Sequence, residues 1–338
     1  MAADPGDEDP TELDARASVL MKTGIQQLND GSTESAAAAL EYFNHALSLR
    51  RRLPIDAVPV FRYGLAACLL NRADALVRLG DADSLSTALD AYDEAISLLK
   101  ALRLGDDPRF ARRLAMAYQN RGVALQFRDA ADPGAIVSFT DALAVLDSPD
   151  AADVGDREYL RAASLVNLAN ALVVIQTPDA YTSARQAAAE AMRLVGEAES
   201  GDVDAAEVGL KARHIFCRTV APYLPAAQRT ESLPEVVHEV TDAVDDGLRL
   251  VRLWEQKDVS RFRPVAADLL QFGAIVYAAF QPQFVDEFVR ENLDPAAAPS
   301  AYLDSVEMRA AIGRIYQALG KDDEVADGSN LSRDRTAP

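Results

Sequence analysis

The sequence predicts an all-α protein, a right-handed superhelical array of antiparallel helix pairs. Helix-forming residues dominate the composition: Ala is the most common residue, and only 17 Gly and 16 Pro occur among 338 positions. Apolar residues recur at spacings of three and four, which is the period of one helix face. Similar segments also return along the chain at a nearly constant distance, as the repeats of a solenoid do.

The first helix of each predicted pair carries the clearest repeat. Segment 61–76 (FRYGLAACLLNRADAL) lies 49 residues before segment 110–125 (FARRLAMAYQNRGVAL), and the two share Phe, Leu-Ala, Asn-Arg and Ala-Leu in register. A third copy spans 162–172, and a weaker, earlier copy spans 20–28. One small residue holds the same place in all four copies: Gly24, Ala73, Gly122 and Ala169.

A second amphipathic run follows each of these segments, so the predicted unit is a pair of helices. The second runs cover 39–47, 88–96, 135–143 and 184–192. Residues spaced by four and then three form one stripe on each run, because this spacing returns to the same helix face. In most copies two Ala flank an aromatic residue, and the members are Ala39/Phe43/Ala46, Ala88/Tyr92/Ala95, Ala135/Phe139/Ala142 and Ala184/Ala188/Ala191. Small residues in this stripe let the neighbouring helix approach closely.

Turn-forming residues separate the helices and define the domain organisation. Short breaks rich in Gly, Pro, Asn and Asp lie between the runs, so four helix pairs are predicted over 11–198. Divergent helical repeats and a capping helix are predicted over 199–320, from amphipathic runs at 206–224, 234–257 and 264–280 and a closing pair at 283–292 and 302–319. The acidic N-terminus, 1–10, and the tail, 321–338, have too little apolar surface to order and are predicted to be disordered.

The Asn-x-Gly/Ala-x-Ala-Leu core of the first helices and the Ala-x-x-x-Phe/Tyr-x-x-Ala stripe of the second helices resemble the tetratricopeptide repeat. The resemblance covers about half of the chain and implies a superhelix whose first helices line a concave groove. The period of 47 to 49 residues exceeds the standard period of about 34, which implies longer helices or connections. Arg72 and Arg121 occupy a position that is usually apolar in the family.

Three asparagines at one equivalent position are the first candidates for ligand binding: Asn71, Asn120 and Asn167. The resemblance implies that an Asn at this position points into the groove and hydrogen-bonds the main chain of a bound extended peptide. An amide suits that role because it offers a donor and an acceptor together. The alternative is that these residues cap or bridge neighbouring helices inside the stack.

Arg72 and Arg121 directly follow two of these asparagines, and each needs a partner because an unpaired buried charge is costly. One interpretation is an internal ion pair with an acid on an adjacent second helix, from the set Asp93, Glu94 and Asp141. The other is a clamp for a carboxylate or phosphate of the ligand, because Arg can form two parallel hydrogen bonds to such a group. Further arginines of such a clamp would be Arg78, Arg112 and Arg113.

Signals for catalysis or metal binding are weak. His214-x-x-Cys217 has a metal-like spacing but lacks a second pair of ligands. Asp242, Asp245 and Asp246 loosely resemble the aspartate-rich magnesium motif of isoprenoid diphosphate enzymes, but the order is reversed, which favours a polar helix face. No GxSxG, Walker or GxGxxG motif occurs. We therefore expect no enzyme activity, no cofactor and no metal.

The charge of the chain restricts its partners. A net charge of −19 repels phosphate backbones, which argues against nucleic acid. No apolar run approaches the about 20 residues that cross a bilayer, and the acidic N-terminus does not resemble a signal peptide. The expected location is therefore the cytoplasm, with no membrane partner.

Together, these patterns predict a noncatalytic adaptor that binds a peptide or a partner helix of another protein in the groove. The alternative is an enzyme or small-molecule receptor with a helical pocket in the C-terminal half, formed around Trp254, Arg261, Arg263 and Tyr277. Polar residues spread along an open channel would favour the adaptor, whereas polar residues that converge on one deep pocket would favour the receptor.

Overall fold

A computed structural model describes residues 8–29, 31–196, 198–220, 235–257, 260–280, 282–292 and 303–318. Within these ranges every regular element is a helix and no strand occurs, which confirms the predicted all-α class. The chain divides into two compact units, Met1–Ile175 (unit 1) and Gln176–Pro338 (unit 2). The predicted disordered tail, 321–338, and residues 1–7 of the predicted disordered N-terminus lie outside the described residues.

Unit 1 has seven α-helices among its described residues. They are α1 Pro10–Leu28, α2 Thr33–Arg50, α3 Pro59–Leu79, α4 Ala82–Lys100, α5 Pro108–Arg128, α6 Pro133–Asp147 and α7 Arg157–Ile175. Two short 3-10 helices, Leu104–Asp106 and Pro149–Ala151, lie in the connections. The helices of 15 to 21 residues account for the long repeat period.

Polar caps and prolines set the points at which these helices begin. The Ser32 hydroxyl accepts from the Ser35 amide at 3.1 Å, and the Asp81 carboxylate accepts from the Ser84 amide at 2.9 Å. α1 begins inside the segment predicted to be disordered, because the Asp9 carboxylate caps it and Pro10 occupies its first turn. Residues 8–10 therefore belong to the folded unit.

The two helices of each pair in unit 1 pack against each other along the predicted stripe of the second helix. All nine stripe residues of unit 1 are buried, and they are Ala39, Phe43, Ala46, Ala88, Tyr92, Ala95, Ala135, Phe139 and Ala142. The small residue of the first helix lies against the aromatic ring: a Cβ atom on Gly24 would lie 2.5 Å from Phe43 Cε1, and one on Gly122 would lie 2.5 Å from Phe139 Cε1. The predicted register of these first and second helices is confirmed.

Successive pairs of unit 1 pack in chain order. Each second helix also contacts the first helix of the next pair: α2 contacts α3, α4 contacts α5, and α6 contacts α7. The first helices contact one another in series, α1 with α3, α3 with α5 and α5 with α7. The first helices therefore lie side by side, and each second helix packs against two of them.

α7 is the one described helix that is long and apolar enough to cross a membrane, judged by length and composition alone. This helix packs against α5 and α6, and its buried residues include Leu160, Val166 and Val173. Core helices of water-soluble proteins pass the same test of length and composition.

Unit 2 has six α-helices among its described residues. They are α8 Pro178–Val195, α9 Val203–Arg218, α10 Glu235–Glu255, α11 Arg263–Phe280, α12 Val285–Asn292 and α13 Val306–Ala318, with 3-10 helices at Ser260–Phe262 and Pro282–Phe284. α8 packs against α9, α9 packs against α10 and α11, and the predicted closing helices α12 and α13 both pack against α11. Residues 221–224 of the predicted run 206–224 lie outside the described residues.

The division between the units differs from the predicted domain organisation. We placed all four helix pairs in one domain, 11–198, but the boundary lies between Ile175 and Gln176, inside the fourth pair. The contacts of α7 with α5 and α6 lie within unit 1, and the contact of α8 with α9 lies within unit 2. The sequence shows which helices repeat. The boundary between compact units depends on contacts between helices, and the repeat pattern does not specify those contacts.

We expect Gly122→Ala to lower the free energy of unfolding of unit 1. The added methyl group meets the Phe139 ring, and overpacking of this kind costs about 1 to 3 kcal/mol. That cost exceeds the gain of at most about 1 kcal/mol from the higher helix propensity of Ala. Urea unfolding followed by circular dichroism measures the difference.

Gly155→Ala is the matched control in the same unit. No atom lies within 4 Å of a Cβ added at Gly155, so its effect should stay below about 0.5 kcal/mol. Equal effects of the two substitutions would contradict the packing of α5 against α6 described above.

Candidate binding surface

Side-chain hydrogen bonds join neighbouring first helices of unit 1. The Arg78 guanidinium on α3 donates to the Leu28 carbonyl at the end of α1, at 2.6 Å. The Asn120 amide on α5 donates to Asp74 Oδ1 on α3, at 3.0 Å. These contacts bridge α1 to α3 and α3 to α5, so polar groups as well as apolar packing fix the layer of first helices.

A third bridge, from α5 to α7, was not predicted. Gln119 is buried, and its amide donates to the Leu160 carbonyl at 2.9 Å and to the Ser164 hydroxyl. The sequence holds one signal for this contact, because Leu70 occupies the equivalent place in the preceding repeat. A polar residue at an apolar repeat position needs a partner when it is buried.

The three predicted asparagines lie at equivalent, half-buried positions on α3, α5 and α7. Asn120 has the internal bridging role that the sequence left open as an alternative. Neither Asn71 nor Asn167 makes a side-chain hydrogen bond within the described part of the chain. The residues equivalent to Asp74 in their neighbouring first helices are Ile25 and Val123, which offer no side-chain acceptor.

Arg121 forms hydrogen bonds to the second helix of the preceding pair and to the second helix of its own pair. Its Nε donates to Asp93 Oδ1 on α4 at 2.6 Å, and its Nη1 donates to the Ser138 hydroxyl on α6 at 2.8 Å. Asp93 is one of the acids predicted as an internal partner. This arrangement ties α5 to both α4 and α6.

Arg72 has the same geometry with a different partner. Its Nε donates to Asn44 Oδ1 on α2 at 2.8 Å. Asn44 and Asp93 hold equivalent positions, because each directly follows the aromatic residue of its stripe. Asn44 lies outside the set of predicted partners, all of which are acids. Burial and the nearby Arg51 guanidinium lower the pKa of Arg72, and the Glu94 charge opposes this change.

Two further arginines lie over the layer of first helices. The Arg113 guanidinium on α5 donates to the Tyr63 hydroxyl on α3 at 3.2 Å and lies 5.5 Å from the centre of that ring. Its Nε is buried without a hydrogen-bond partner. Arg112, in contrast, forms a two-oxygen ion pair with Asp156, with the closest contact at 2.7 Å. Arg113 and Arg78 form no ion pair within the described residues.

We call one set of residues on α3 and α5 the first-helix face: Tyr63, Asp74, Arg78, Arg113, Asn120 and Phe127. The spacing of seven places Arg113, Asn120 and Phe127 on one face of α5, and Phe127 is 67% exposed. Arg72 lies on a different face of α3 from Arg78, because six residues span a turn and two thirds. The structure therefore does not bring Arg72 and Arg121 together with Arg78 in one clamp.

Asp74 is the acid at the centre of the first-helix face. Its Oδ1 accepts from the Tyr92 hydroxyl at 2.5 Å as well as from Asn120. Burial raises the pKa of Asp74, while these two hydrogen bonds and the charges of Arg78 and Arg113 oppose that increase. The same burial, together with the Asp74 charge, raises the pKa of Tyr92.

A separate cleft of about 390 Å³ lies in unit 2 between α10, α11 and α12. Its lining includes Asp245, Arg249, Arg252, Tyr277, Glu287 and Glu291. The Tyr277 hydroxyl donates to Asp245 Oδ2 at 3.4 Å, and its ring lies 4.7 Å from that of Phe288. Burial raises the pKa of Asp245, and it raises the pKa of Tyr277 to about 12.

Of the four residues predicted to surround a pocket in this half, Tyr277 lines the cleft. Trp254 is buried, and its indole nitrogen donates to the Glu199 carbonyl at 2.9 Å. Arg261 and Arg263 form ion pairs with acids of α9 and α10. These three residues hold the helices of unit 2 together and do not form a common pocket with Tyr277.

The His214-x-x-Cys217 motif, whose spacing resembles that of metal ligands, lies in α9. His214 Nε2 is 3.8 Å from Asp268 Oδ2, and the buried Cys217 thiol has a pKa raised to about 12 by desolvation. The described residues contain no group of three His, Cys, Asp or Glu side chains in a metal-binding arrangement.

Comparison with known proteins adds no family assignment. No protein-family model matches this chain, and no curated protein matches it at a significant level. The resemblance to the tetratricopeptide repeat therefore depends on the repeat residues of the sequence.

We expect the stability of the protein to depend on pH through Asp74. Because the pKa of Asp74 is raised in the folded state, its contribution to stability is fully present below the pKa of an unfolded Asp, about 3.9. That contribution is lost as the pH rises through the higher folded value.

Asp74→Asn tests this expectation, because it removes the charge and keeps an acceptor for Tyr92 and Asn120. The free energy of unfolding of the variant, relative to the original protein, should increase as the pH rises from about 3 to about 7. Urea unfolding at several pH values measures this difference. Parallel pH profiles of the two proteins would contradict the raised pKa.

Proposed function

We propose that the chain is a noncatalytic adaptor and that unit 1 binds a peptide or a partner helix of another protein along its first-helix face. The observation that carries the proposal is the side-by-side packing of α1, α3, α5 and α7. This layer offers an extended strip of aromatic, amide and guanidinium groups that are exposed or half-buried. The proposal includes the right-handed superhelical form of the array and its relationship to tetratricopeptide repeats.

The charges of this face favour an acidic ligand segment. Arg78 and Arg113 form no ion pair within the described residues, although the whole chain carries a net charge of −19. A local cationic site on an acidic protein orients an approaching ligand and excludes basic segments. The exposed Phe127 ring supplies apolar contact area beside these charges.

The predicted site residues divide into two roles in this proposal. Asn71, Asn167 and Arg78 contact the ligand, because their side chains retain unused donors. Asn120 holds Asp74 in place, and the two remaining arginines, Arg72 and Arg121, tie α3 and α5 to the second helices. We propose no catalytic step, no cofactor and no metal, and we place the protein in the cytoplasm with neither nucleic acid nor membrane as its partner.

A small-molecule receptor is the second candidate function, and the cleft of unit 2 favours it. Its volume of about 390 Å³ falls in the usual range for small ligands, about 300 to 1,000 Å³. The Asp245–Tyr277 hydrogen bond, at 3.4 Å, is long enough for a ligand group to replace it. Tyr277→Phe would weaken the binding of a small ligand in this cleft. It would leave the binding of a protein partner to unit 1 unchanged.

The adaptor proposal predicts the outcome of affinity capture from the native lysate. A partner captured by the original chain should be lost or reduced at least about tenfold with the double variant Arg78→Gln/Arg113→Gln, because two charge-assisted hydrogen bonds contribute about 1.5 to 3 kcal/mol each. Mass spectrometry identifies the partner, and calorimetry with the purified partner measures the affinity.

Arg103→Gln is the control, because Arg103 is exposed in the connection between α4 and α5 and the substitution removes the same charge. Its capture should equal that of the original chain. The proposal fails if the double variant, folded by circular dichroism, retains the partner at full affinity.

A further inference from the structure

A second polar cleft lies in unit 1, on the side of the second helices. It has a volume of about 320 Å³ and is bounded by α2, α3 and α4. Its lining residues are Asn44, Leu47, Arg51, Leu69, Arg72, Thr87, Asp90, Ala91 and Glu94. None of these residues belongs to the first-helix face, so the cleft is a separate site from the one in the proposed function.

Arg72 is the unusual group in this cleft. Its Nε is bonded to a neutral amide, Asn44, and within the described part of the chain its Nη1 and Nη2 donate no hydrogen bond. Neither nitrogen is a fully buried atom, so both retain some contact with solvent. The side chain is half-buried, and its charge lacks a bonded carboxylate.

Comparison with the next repeat shows what is missing. Arg121 is equivalent to Arg72, and Asp93 is equivalent to Asn44. In that repeat the Arg121–Asp93 ion pair closes at 2.6 Å. At the same position of the repeat, Arg121 therefore has a carboxylate partner, whereas Arg72 has a neutral amide.

The other charges of the cleft define the missing partner. Arg51 is bonded to both oxygens of Glu94, at 3.2 and 3.0 Å, so this pair is internally neutral. Burial and the Arg51 charge disfavour the Arg72 cation, and the Glu94 charge favours it. Asp90 is exposed, so the lining holds two cations and two carboxylates, and repulsion by Asp90 increases with the negative charge of the ligand. The cleft thus suits a singly charged, planar oxyanion.

We propose that this cleft binds a carboxylate group of a ligand, such as an acidic side chain or the C-terminus of a partner, through the free Nη1 and Nη2 of Arg72. The planar fork of a guanidinium matches the two oxygens of a carboxylate. The Thr87 hydroxyl lines the same space, but it donates to the Asp83 carbonyl of its own helix, so the hydrogen bonds to the carboxylate come from Arg72.

Acetate is the probe, and nitrogen NMR of the arginine Nε–H groups of the full chain is the measurement. Acetate replaces chloride at constant ionic strength, so that only specific binding changes the spectrum. We expect a saturable shift of the Arg72 resonance and no saturable shift of the Arg121 resonance. Phosphate should shift Arg72 more weakly at equal concentration, because of its additional charge.

Asn44→Asp is the decisive variant. It places the carboxylate of the next repeat beside Arg72, so the fold should be kept and the melting temperature should not fall. Acetate affinity at Arg72 should drop at least about tenfold, because the internal carboxylate competes with the added one. Asp93→Asn makes the reverse change beside Arg121 and should leave the acetate response of Arg72 unchanged.

Three results would overturn the proposal. One is the absence of a saturable acetate shift at Arg72 in the original chain. Another is an equal acetate affinity in Asn44→Asp. The third is tighter binding of phosphate than of acetate, which would assign the cleft to phosphate groups. The adaptor proposal depends on Arg78 and Arg113, so its capture experiment succeeds or fails independently of these results.

Discussion

The close contact between a glycine of the first helix and an aromatic ring of the second helix, in the pairs α1–α2 and α5–α6, is the constraint on which unit 1 depends. The Phe43 and Phe139 rings occupy the space that a Cβ atom would need at Gly24 and Gly122. This contact sets the distance within a pair, and the buried alanines beside the ring let the next first helix approach as well. The order of the stack follows, because each second helix packs against the first helices on both sides of it.

Polar chemistry varies on this constant scaffold. One position after the shared asparagine carries Arg72, Arg121 and then Leu168 in successive repeats, and the facing position carries Asn44, Asp93 and then Thr140. An ion pair in one repeat thus corresponds to an arginine with a neutral partner in the preceding repeat. Packing residues define the fold, whereas differences between equivalent polar residues create the two candidate sites of unit 1.

The two candidate sites of unit 1 use their charges in different ways. On the first-helix face, hydroxyl and amide donors bind the Asp74 carboxylate, and the nearby arginines form no ion pair with it within the described residues. In the cleft of the second helices, the pair of Arg51 and Glu94 neutralises itself and leaves Arg72 as the available cation. Both sites therefore present a guanidinium without an internal ion pair, and its unused hydrogen-bond donors favour ligands with carboxylate groups.

The sequence by itself determined the helices, their pairing and the buried stripes of unit 1. These features are local: they comprise spacings of three and four, turn residues, and small and aromatic residues at fixed positions. They can be read from the sequence because they do not depend on how the helices pack. Tertiary structure alone decided the partners of Asn120 and Arg72, which lie 46 and 28 residues away along the chain. It also decided the division of the chain after Ile175 and the separation of Arg72 from Arg78. Such outcomes depend on which side chains meet across packed helices, and the spacing of residues along one helix does not contain that information.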